Sequence, residues 1–343
     1  RESPWELAVG PPPEQWDHWV ELDSSSWPRR VENHYRCVPT ICFNCESACG
    51  LLAFVDKSDG HIEKFEGNPV HPGSRGRTCA KGPATINQVN DTERILTPMK
   101  RVGPRGSGEF APASWEEALS DIGGRLRAAV DEQRRNEIVY HVGRPGDDHF
   151  VMRMLGAWGV DGHNSHTNVC SAAARLGYAT WFGADRPSPD YSQTKFALLL
   201  SAHLETGHYF NPHAQRIVEA KERGARMAVV DCRLSNTASR ADKWISPWPG
   251  TEAAMLLGVA RELLQRHLDG QPGVDVDFVR RWTNYEAWLE AHRSDAPATV
   301  EAFLAELREL YDEYTPEFVA EECKIPADTV TWLADEIADA GSQ

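Results

Sequence analysis

The sequence predicts an α/β protein: a small N-terminal domain with β-hairpins, a doubly wound parallel-sheet domain after it, and a helical tail. Three observations predict this. Two β-rich runs, Leu51 to Asp56 and His61 to Phe65, flank a turn containing Asp59-Gly60, the composition of a hairpin. From Glu137 onward, short apolar runs alternate with helical periods, which argues for parallel strands covered on both faces. From Val274 the chain becomes helical and acidic.

The 343 residues suffice for two domains or one large one, and the 41% apolar content is that of a globular protein. No apolar run reaches the length of a membrane helix, so membrane contact is expected only through a partner. The net charge of -15 repels nucleic acid and anionic membrane surfaces, and it favours a basic electron-transfer partner. Arg1 in place of Met is expected of a chain from which a leading segment has been removed, and Arg29-Arg30 is not an export signal because no apolar region follows it.

In chain order, residues 1–34 hold Pro11 to Pro13 and Trp5, Trp16, Trp19 and Trp27 without helical period, and read as an extended arm whose tryptophans pack on this chain or a neighbour. The hairpin carries the chain out and back, and Pro72, Gly73 and Gly76 form the loop that presents Cys79. Ser114, with Glu117 three residues on, opens a helix whose buried face is Trp115, Ala118, Leu119, Ile122 and Leu126. A strand from Glu137 to Val142, ending at Gly143, precedes a helix near Phe150 to Trp158, a polar loop, and a helix from Ser171 to Phe182. Phe196 to Ala202 is a buried strand, Pro212 to Arg223 a helix stopped by Gly224, Arg226 to Asp231 a strand, and Thr251 to His267 a helix. In the tail, Leu304, Leu307, Leu310 and Tyr311 are core positions and Pro326 opens the last helix.

The chemistry centres on cysteine. Cys42, Cys45 and Cys49 stand as C-x2-C-x3-C, and Cys79 follows in Thr78-Cys79-Ala80-Lys81-Gly82. Three close thiolates and a distant fourth can take the corners of a cuboidal iron-sulfur cluster. Structural zinc prefers two C-x2-C pairs, disulfides suit a smaller chain, and four inert buried thiols suit a less polar setting; all three rank below the cluster.

In a doubly wound sheet, ligands sit at the carboxyl ends of the strands, which here means the loops after Val142, Ala202, Asp231 and Ser246. None carries G-x-G-x-x-G, which weighs against NAD or FAD bound in the usual way. Cofactor-binding candidates in these loops are Gly143, His203, Glu205, Asp231, Arg233, Thr237, Gly250 and Glu252. Asp231 ends a strand where a carboxylate can accept from a ribose, with Arg233 and Thr237 as anion and hydroxyl partners. Glu252 at a helix start can pair with a guanine N–H edge or with the helix dipole.

These motifs, in this order, resemble the first half of the catalytic subunit of the molybdopterin oxidoreductases, the dimethyl sulfoxide reductase family. The matching text is the four cysteines with Cys79-Ala80-Lys81-Gly82, Ser114-Trp115-Glu116-Glu117-Ala118-Leu119, Val230-Asp231-Cys232-Arg233 with Thr237-Ala238, and Pro249-Gly250-Thr251-Glu252. The resemblance implies a 35–100 4Fe-4S domain, a second domain beginning in 101–142, and a Rossmann-like domain from 143 to 343 that binds molybdopterin guanine dinucleotide. It implies molybdenum or tungsten held by two such dinucleotides, with Lys81 between cluster and pterin. Cys170 matches the family's protein ligand to that metal; a soft thiolate suits it, and the helix start after it lowers the thiol pKa. A buried, inert Cys170 is the alternative. His166, Asn168 and Arg175 are the candidate substrate-facing groups, since an anion needs donors near the metal. Cys232 stands where the family has proline and Glu252 where it has aspartate, while Ser171 after Cys170 speaks against formate as substrate.

The expected activity is oxygen-atom or two-electron transfer to or from a small sulfur or arsenic compound. The expected partners are an iron-sulfur electron-transfer subunit, together with a membrane anchor subunit, in an extracytoplasmic, periplasmic setting. Two alternatives are a cluster-carrying scaffold or electron-transfer subunit without pterin, and a non-redox hydratase on the same cofactor.

Overall fold

The computed structural model describes residues 10–45, 47–142, 148–166, 169, 171–184, 189–206 and 211–341. The chain forms two compact units, Arg1–Asn87 with Asp190–Gln343, and Gln88–Pro189. No helix among the described residues is long and apolar enough to cross a membrane.

The first unit begins with a four-stranded antiparallel sheet in the order β1 (Trp19–Leu22), β2 (Glu32–Ile41), β3 (Gly50–Asp56), β4 (Ile62–Gly67). The expected hairpin is β3 and β4, turned at Gly60 with φ +78°. Within the segment expected to be an extended arm, a 3-10 turn (Pro13–His18) and β1 fold onto β2 instead, and a second 3-10 turn (Ser24–Ser26) lies between the two strands. Trp19 pairs with Tyr35, and Trp16 and Trp19 cover Tyr35, Cys37, Leu52 and Phe54. A four-residue strand is too short to display its period, so only its partner defines it. Trp27, by contrast, is 83% exposed. Burial pushes the Cys37 thiol up to about 11, with the Glu21 carboxylate adding to the effect. A short helix, α1 (Thr85–Val89), ends this part.

The second unit holds β5 (Met99–Arg101), β6 (Phe110–Pro112), α2 (Trp115–Asp131), β7 (Tyr140–Val142), α3 (Asp148–Trp158), β8 (His163–Ser165) and α4 (Ala172–Phe182). The capping box is present: Ser114 Oγ accepts from the Glu117 N–H at 3.1 Å, and Glu117 Oε2 accepts from the Ser114 N–H at 2.9 Å. Of the expected buried face of α2, Leu126 packs against the core, but the earlier positions are corrected. Trp115, Leu119 and Ile122 are 68%, 63% and 57% exposed, while Ala129 is buried beside Ile138, Leu155 and Val160. Periodicity finds the apolar stripe but not where its cover stops. The strand expected from Glu137 starts only at Tyr140, because Arg135–Glu137 closes a 3-10 turn. Part of the expected polar loop is β8, paired parallel to β7 through Tyr140↔His163.

The first unit resumes with β9 (Phe196–Leu200), α5 (Asn211–Glu222), β10 (Arg226–Val230) and β11 (Lys243–Ile245), parallel in the order β11-β10-β9. The tail adds α6 (Glu252–Leu268), α7 (Val276–Trp282), α8 (Tyr285–His292), α9 (Val300–Leu310), α10 (Pro316–Cys323) and α11 (Asp328–Ala340). Both faces of the sheet are covered. Ala228 and Val230 pack with Met255, Val319, Val330 and Leu333, while Met227 and Val229 pack with Ala197, Leu199 and Ile217. Each buried Val, Leu, Ile or Met among them contributes about 1.5–3 kcal/mol, so the central strand β10 anchors the layer. β9 is an edge strand that ends at Leu200, short of the expected Ala202, because Ser201 turns the chain at φ +52°. β7 pairs with β8 and is not one of these three strands. Leu304 is buried as expected and Leu307 and Tyr311 pack against it, but Leu310 is exposed. Pro326 precedes the N-cap residue Ala327 rather than sitting in the last helix.

Candidate functional site

The C-x2-C-x3-C segment is the connection between β2 and β3, whose ends pair through Ile41↔Gly50. The loop is closed by the Cys42 N–H donating to the Cys49 carbonyl at 2.8 Å and the Ala48 N–H to the Cys45 carbonyl at 3.2 Å. The chain returns from β4 through a second loop. Its Gly76 N–H donates to the Asn68 carbonyl at 2.8 Å, and the Gly50 N–H donates to Oγ of the fully buried Ser74 at 3.1 Å. The crossing needs glycine: a Cβ on Gly67 would lie 1.9 Å from the Gly76 carbonyl oxygen, and one on Gly50 would lie 2.4 Å from the His71 Cβ. Hydrogen bonds therefore fasten the loop that carries Cys79 to the strand that begins beside Cys49.

Asn44 ties the two loops directly. Its two Nδ2 hydrogens are shared among three acceptors, Cys42 Sγ at 3.3 Å, the Lys81 carbonyl at 3.2 Å and Thr85 Oγ1 at 3.1 Å. Of the four cysteines, Cys42 and Cys49 are buried and Cys45 and Cys79 are half-buried. Among the described residues no three His, Cys, Asp or Glu side chains gather as they would around a single metal ion. Thiolates around one tetrahedral zinc stand about 3.8 Å apart, from bonds of about 2.3 Å, whereas a cuboidal cluster spreads its ligands further. The soft four-thiol set, the polar donor aimed at one sulfur and the two fastened loops fit a 4Fe-4S cluster. The Lys81 side chain is exposed, while its carbonyl accepts from Asn44 and Thr85.

The carboxyl edge of the parallel sheet gathers most of the cofactor-binding candidates. Arg233 Nη2 lies 3.1 Å from His203 Nδ1, and the Arg233 N–H donates to Asp231 Oδ1 at 2.9 Å. The Glu205 N–H donates to Oγ1 of the buried Thr237 at 3.3 Å, and Arg240 pairs with the Glu205 carboxylate at 2.7 Å. Two guanidiniums and a histidine beside two carboxylates can meet both the anionic and the hydroxyl parts of a dinucleotide. After β11, Gly250 has φ +93° and its N–H donates to Glu252 Oε2 at 3.0 Å, so this carboxylate caps its own helix start.

In the second unit His166 follows β8, its N–H donating to the Val142 carbonyl at 3.4 Å, and Arg175 lies in the first turn of α4. Cys170, Asn168 and Gly143 lie outside the described residues.

The sequence reading missed the side chains that join the cysteine loop to α5. Gln215 Nε2 donates to the Ser74 carbonyl at 3.1 Å, Arg216 Nη2 donates to the Gly73 carbonyl at 3.3 Å, and Arg75 pairs with Glu219 at 2.9 Å. It also missed Arg240 and Asn44. Asn44 alone had a local signal, a side-chain amide inside a cysteine loop.

Four thiols on an antiparallel domain, joined by one helix to a parallel sheet with a charged carboxyl edge, define a cluster-binding α/β protein with a nucleotide-type edge. Comparison with known proteins places it further. Residues 35–91 match the molybdopterin oxidoreductase Fe4S4 domain and residues 94–292 match the molybdopterin oxidoreductase family itself. The chain belongs to the molybdopterin oxidoreductase family, whose cofactors are a 4Fe-4S cluster and molybdopterin with molybdenum or tungsten. It is 28% identical over 88% of its length to the molybdopterin-containing subunit of thiosulfate reductase from Salmonella typhimurium, covering 36% of that protein. It is 27% identical over 89% to a periplasmic nitrate reductase from Desulfovibrio desulfuricans, covering 39%, and 26% identical over 87% to one subunit of the sulfite dehydrogenase from Allochromatium vinosum, covering 36%. The acetylene hydratase of Pelobacter acetylenicus shares the fold, with a TM-score of 0.74 at 22% identity, over 89% of this chain and 39% of that one. The chain thus spans well under half the length of these relatives.

Proposed function

We propose that this chain supplies the cluster and one dinucleotide-binding layer of an oxidoreductase that moves an oxygen atom or an electron pair to or from a small sulfur oxyanion. The observation that carries the reading is the single fastening of two candidate sites. The loop of Cys79 docks on α5 through Gln215, Arg216 and Arg75, and α5 follows the loop that carries His203 and Glu205. In this reading Cys42, Cys45, Cys49 and Cys79 hold the cluster, and His203, Glu205, Asp231, Arg233, Thr237, Gly250 and Glu252 receive one of two molybdopterin guanine dinucleotides. Lys81 adds a positive charge beside the cluster, and Cys170 is the metal's protein ligand, with His166, Asn168 and Arg175 facing substrate. When bound, the metal would supply the two-electron chemistry, and the chain's own contribution is to orient the dinucleotide and pass electrons to or from it. A sulfur oxyanion is favoured over other substrates by the names of two relatives, one belonging to a thiosulfate reductase and the other to a sulfite dehydrogenase. Both are named as subunits, which favours an iron-sulfur partner subunit; the name of the nitrate relative favours a periplasmic setting.

The test is metal and pterin analysis of the complete, anaerobically purified protein, followed by dye-linked assays with thiosulfate, tetrathionate, sulfite and nitrate. The expected result is iron, molybdenum or tungsten and pterin together, with turnover of a sulfur oxyanion. Iron without molybdenum, tungsten or pterin would sink the enzyme reading in favour of a scaffold, and turnover of nitrate alone would reject the substrate class.

A further inference from the structure

Asn44 is placed to act on the cluster electrically as well as mechanically. A thiolate and a carbonyl can only accept, so Cys42 Sγ at 3.3 Å and the Lys81 carbonyl at 3.2 Å together fix the amide nitrogen toward them. The third acceptor, Thr85 Oγ1, is itself buried and donates to the same Lys81 carbonyl at 3.3 Å, closing a small ring of hydrogen bonds. That ring lies over the turn of Cys79, where the Gly82 N–H donates to the Cys79 carbonyl at 3.1 Å and the Ala84 N–H to the Ala80 carbonyl at 3.2 Å. Asn44 thus spans the first and fourth ligand loops, with one N–H on the sulfur of the first.

Reduction adds negative charge to a cluster, and part of that charge resides on the cysteine sulfurs. A donor fixed on one sulfur before the electron arrives stabilises the reduced form more than the oxidised form, and half-burial keeps water from replacing it. From this geometry we infer that Asn44 is a positioning residue that raises the reduction potential of the 4Fe-4S cluster through its N–H···S bond to Cys42. The inference rests on the cluster assignment but not on the substrate or the pterin.

The test is a spectroscopic redox titration of the complete, anaerobically purified protein, comparing wild type with Asn44→Leu and Thr85→Val. Leucine keeps the volume and removes both N–H donors. At the poise where the wild-type cluster is half reduced, the reduced-to-oxidised ratio in Asn44→Leu should fall about threefold, which is about 28 mV at about 59 mV per tenfold for one electron. Thr85→Val removes the neighbouring acceptor but leaves the donor on sulfur, so its ratio should stay at the wild-type value. An unchanged ratio in an iron-loaded Asn44→Leu protein overturns the inference, as does an equal shift in Thr85→Val, which would mark loop distortion. Wild type labelled with nitrogen-15 at asparagine side chains gives a reading that needs no variant. Pulsed EPR of its reduced cluster should show an amide nitrogen coupled to the spin, and the absence of that coupling overturns the inference even if the leucine variant binds no iron. A wild type without iron would instead remove the cluster assignment itself, a result read separately from its iron content and visible spectrum.

Discussion

Gly67→Ala tests how the fourth cysteine is brought to the other three. Gly67 is outside the left-handed region, so alanine there brings crowding without backbone strain. Its Cβ would lie 1.9 Å from the Gly76 carbonyl oxygen and 2.4 Å from the carbonyl carbon, where real contacts stay beyond 3.0 Å. The Gly76 peptide must therefore retreat by at least the difference of 1.1 Å. Two backbone hydrogen bonds stand in its way, Gly76 N–H to the Asn68 carbonyl at 2.8 Å and Arg77 N–H to the Ser74 carbonyl at 2.9 Å. Overpacking costs about 1–3 kcal/mol and each weakened hydrogen bond about 0.5–1.5 kcal/mol, together about 2–6 kcal/mol. That is a large share of the roughly 5–15 kcal/mol that holds a domain folded. It falls on the loop carrying Cys79. Iron per chain after anaerobic purification and the melting temperature should both drop. Gly60→Ala is the control, because its φ of +78° imposes strain while nothing lies within 4 Å of the added Cβ. It should cost about 1–2 kcal/mol and leave the iron content unchanged. A Gly67→Ala protein with full iron and a wild-type melting temperature, or a Gly60→Ala protein that loses as much iron, would refute the close crossing as the element that positions Cys79.

Three further outcomes follow from the same contacts. Gly123 lies inside α2 with open space around an added Cβ, so Gly123→Ala should raise stability by about 0.5–1 kcal/mol in denaturant melts, and a lowered midpoint would show that the helix face is covered. Burial works against the Asp242 charge, yet Lys221 Nζ at 2.7 Å and the Met227 N–H at 2.7 Å hold its carboxyl below the ordinary value. A depressed folded pKa gives stability that is present above the unfolded value, about 3.9, and lost as pH falls through the lower folded value. The gap in urea midpoint between wild type and Asp242→Asn should accordingly close as pH drops below about 4; a gap independent of pH would exclude the ion pair as its source. In thiol labelling at neutral pH read by peptide mass spectrometry, exposed Cys232 should react fast. Buried Cys37, pushed up to about 11, and buried Cys323 should wait for unfolding, and rapid labelling of Cys37 would contradict its packing under Trp16 and Trp19.

Local chemistry was enough to read the hairpin at Asp59-Gly60, the Ser114 capping box, two of the three parallel strands and the spacing of the four cysteines, because turns, caps, periods and ligand spacing are written within a few residues. The carboxyl-edge positions of His203, Glu205, Asp231, Arg233 and Thr237 followed from strand direction alone. What the sequence could not decide was pairing and cover. Strand β1 exists because Trp19 finds Tyr35, and the stripe of Trp115, Leu119 and Ile122 is apolar yet exposed. The docking of Gln215 on Ser74 and of Asn44 on Lys81 joins residues 141 and 37 positions apart. Such contacts depend on where the whole backbone returns in space, and no local period encodes that return. The sequence by itself determined which residues could hold a cluster and line a sheet edge; the tertiary structure alone decided that one helix and one amide fasten them together.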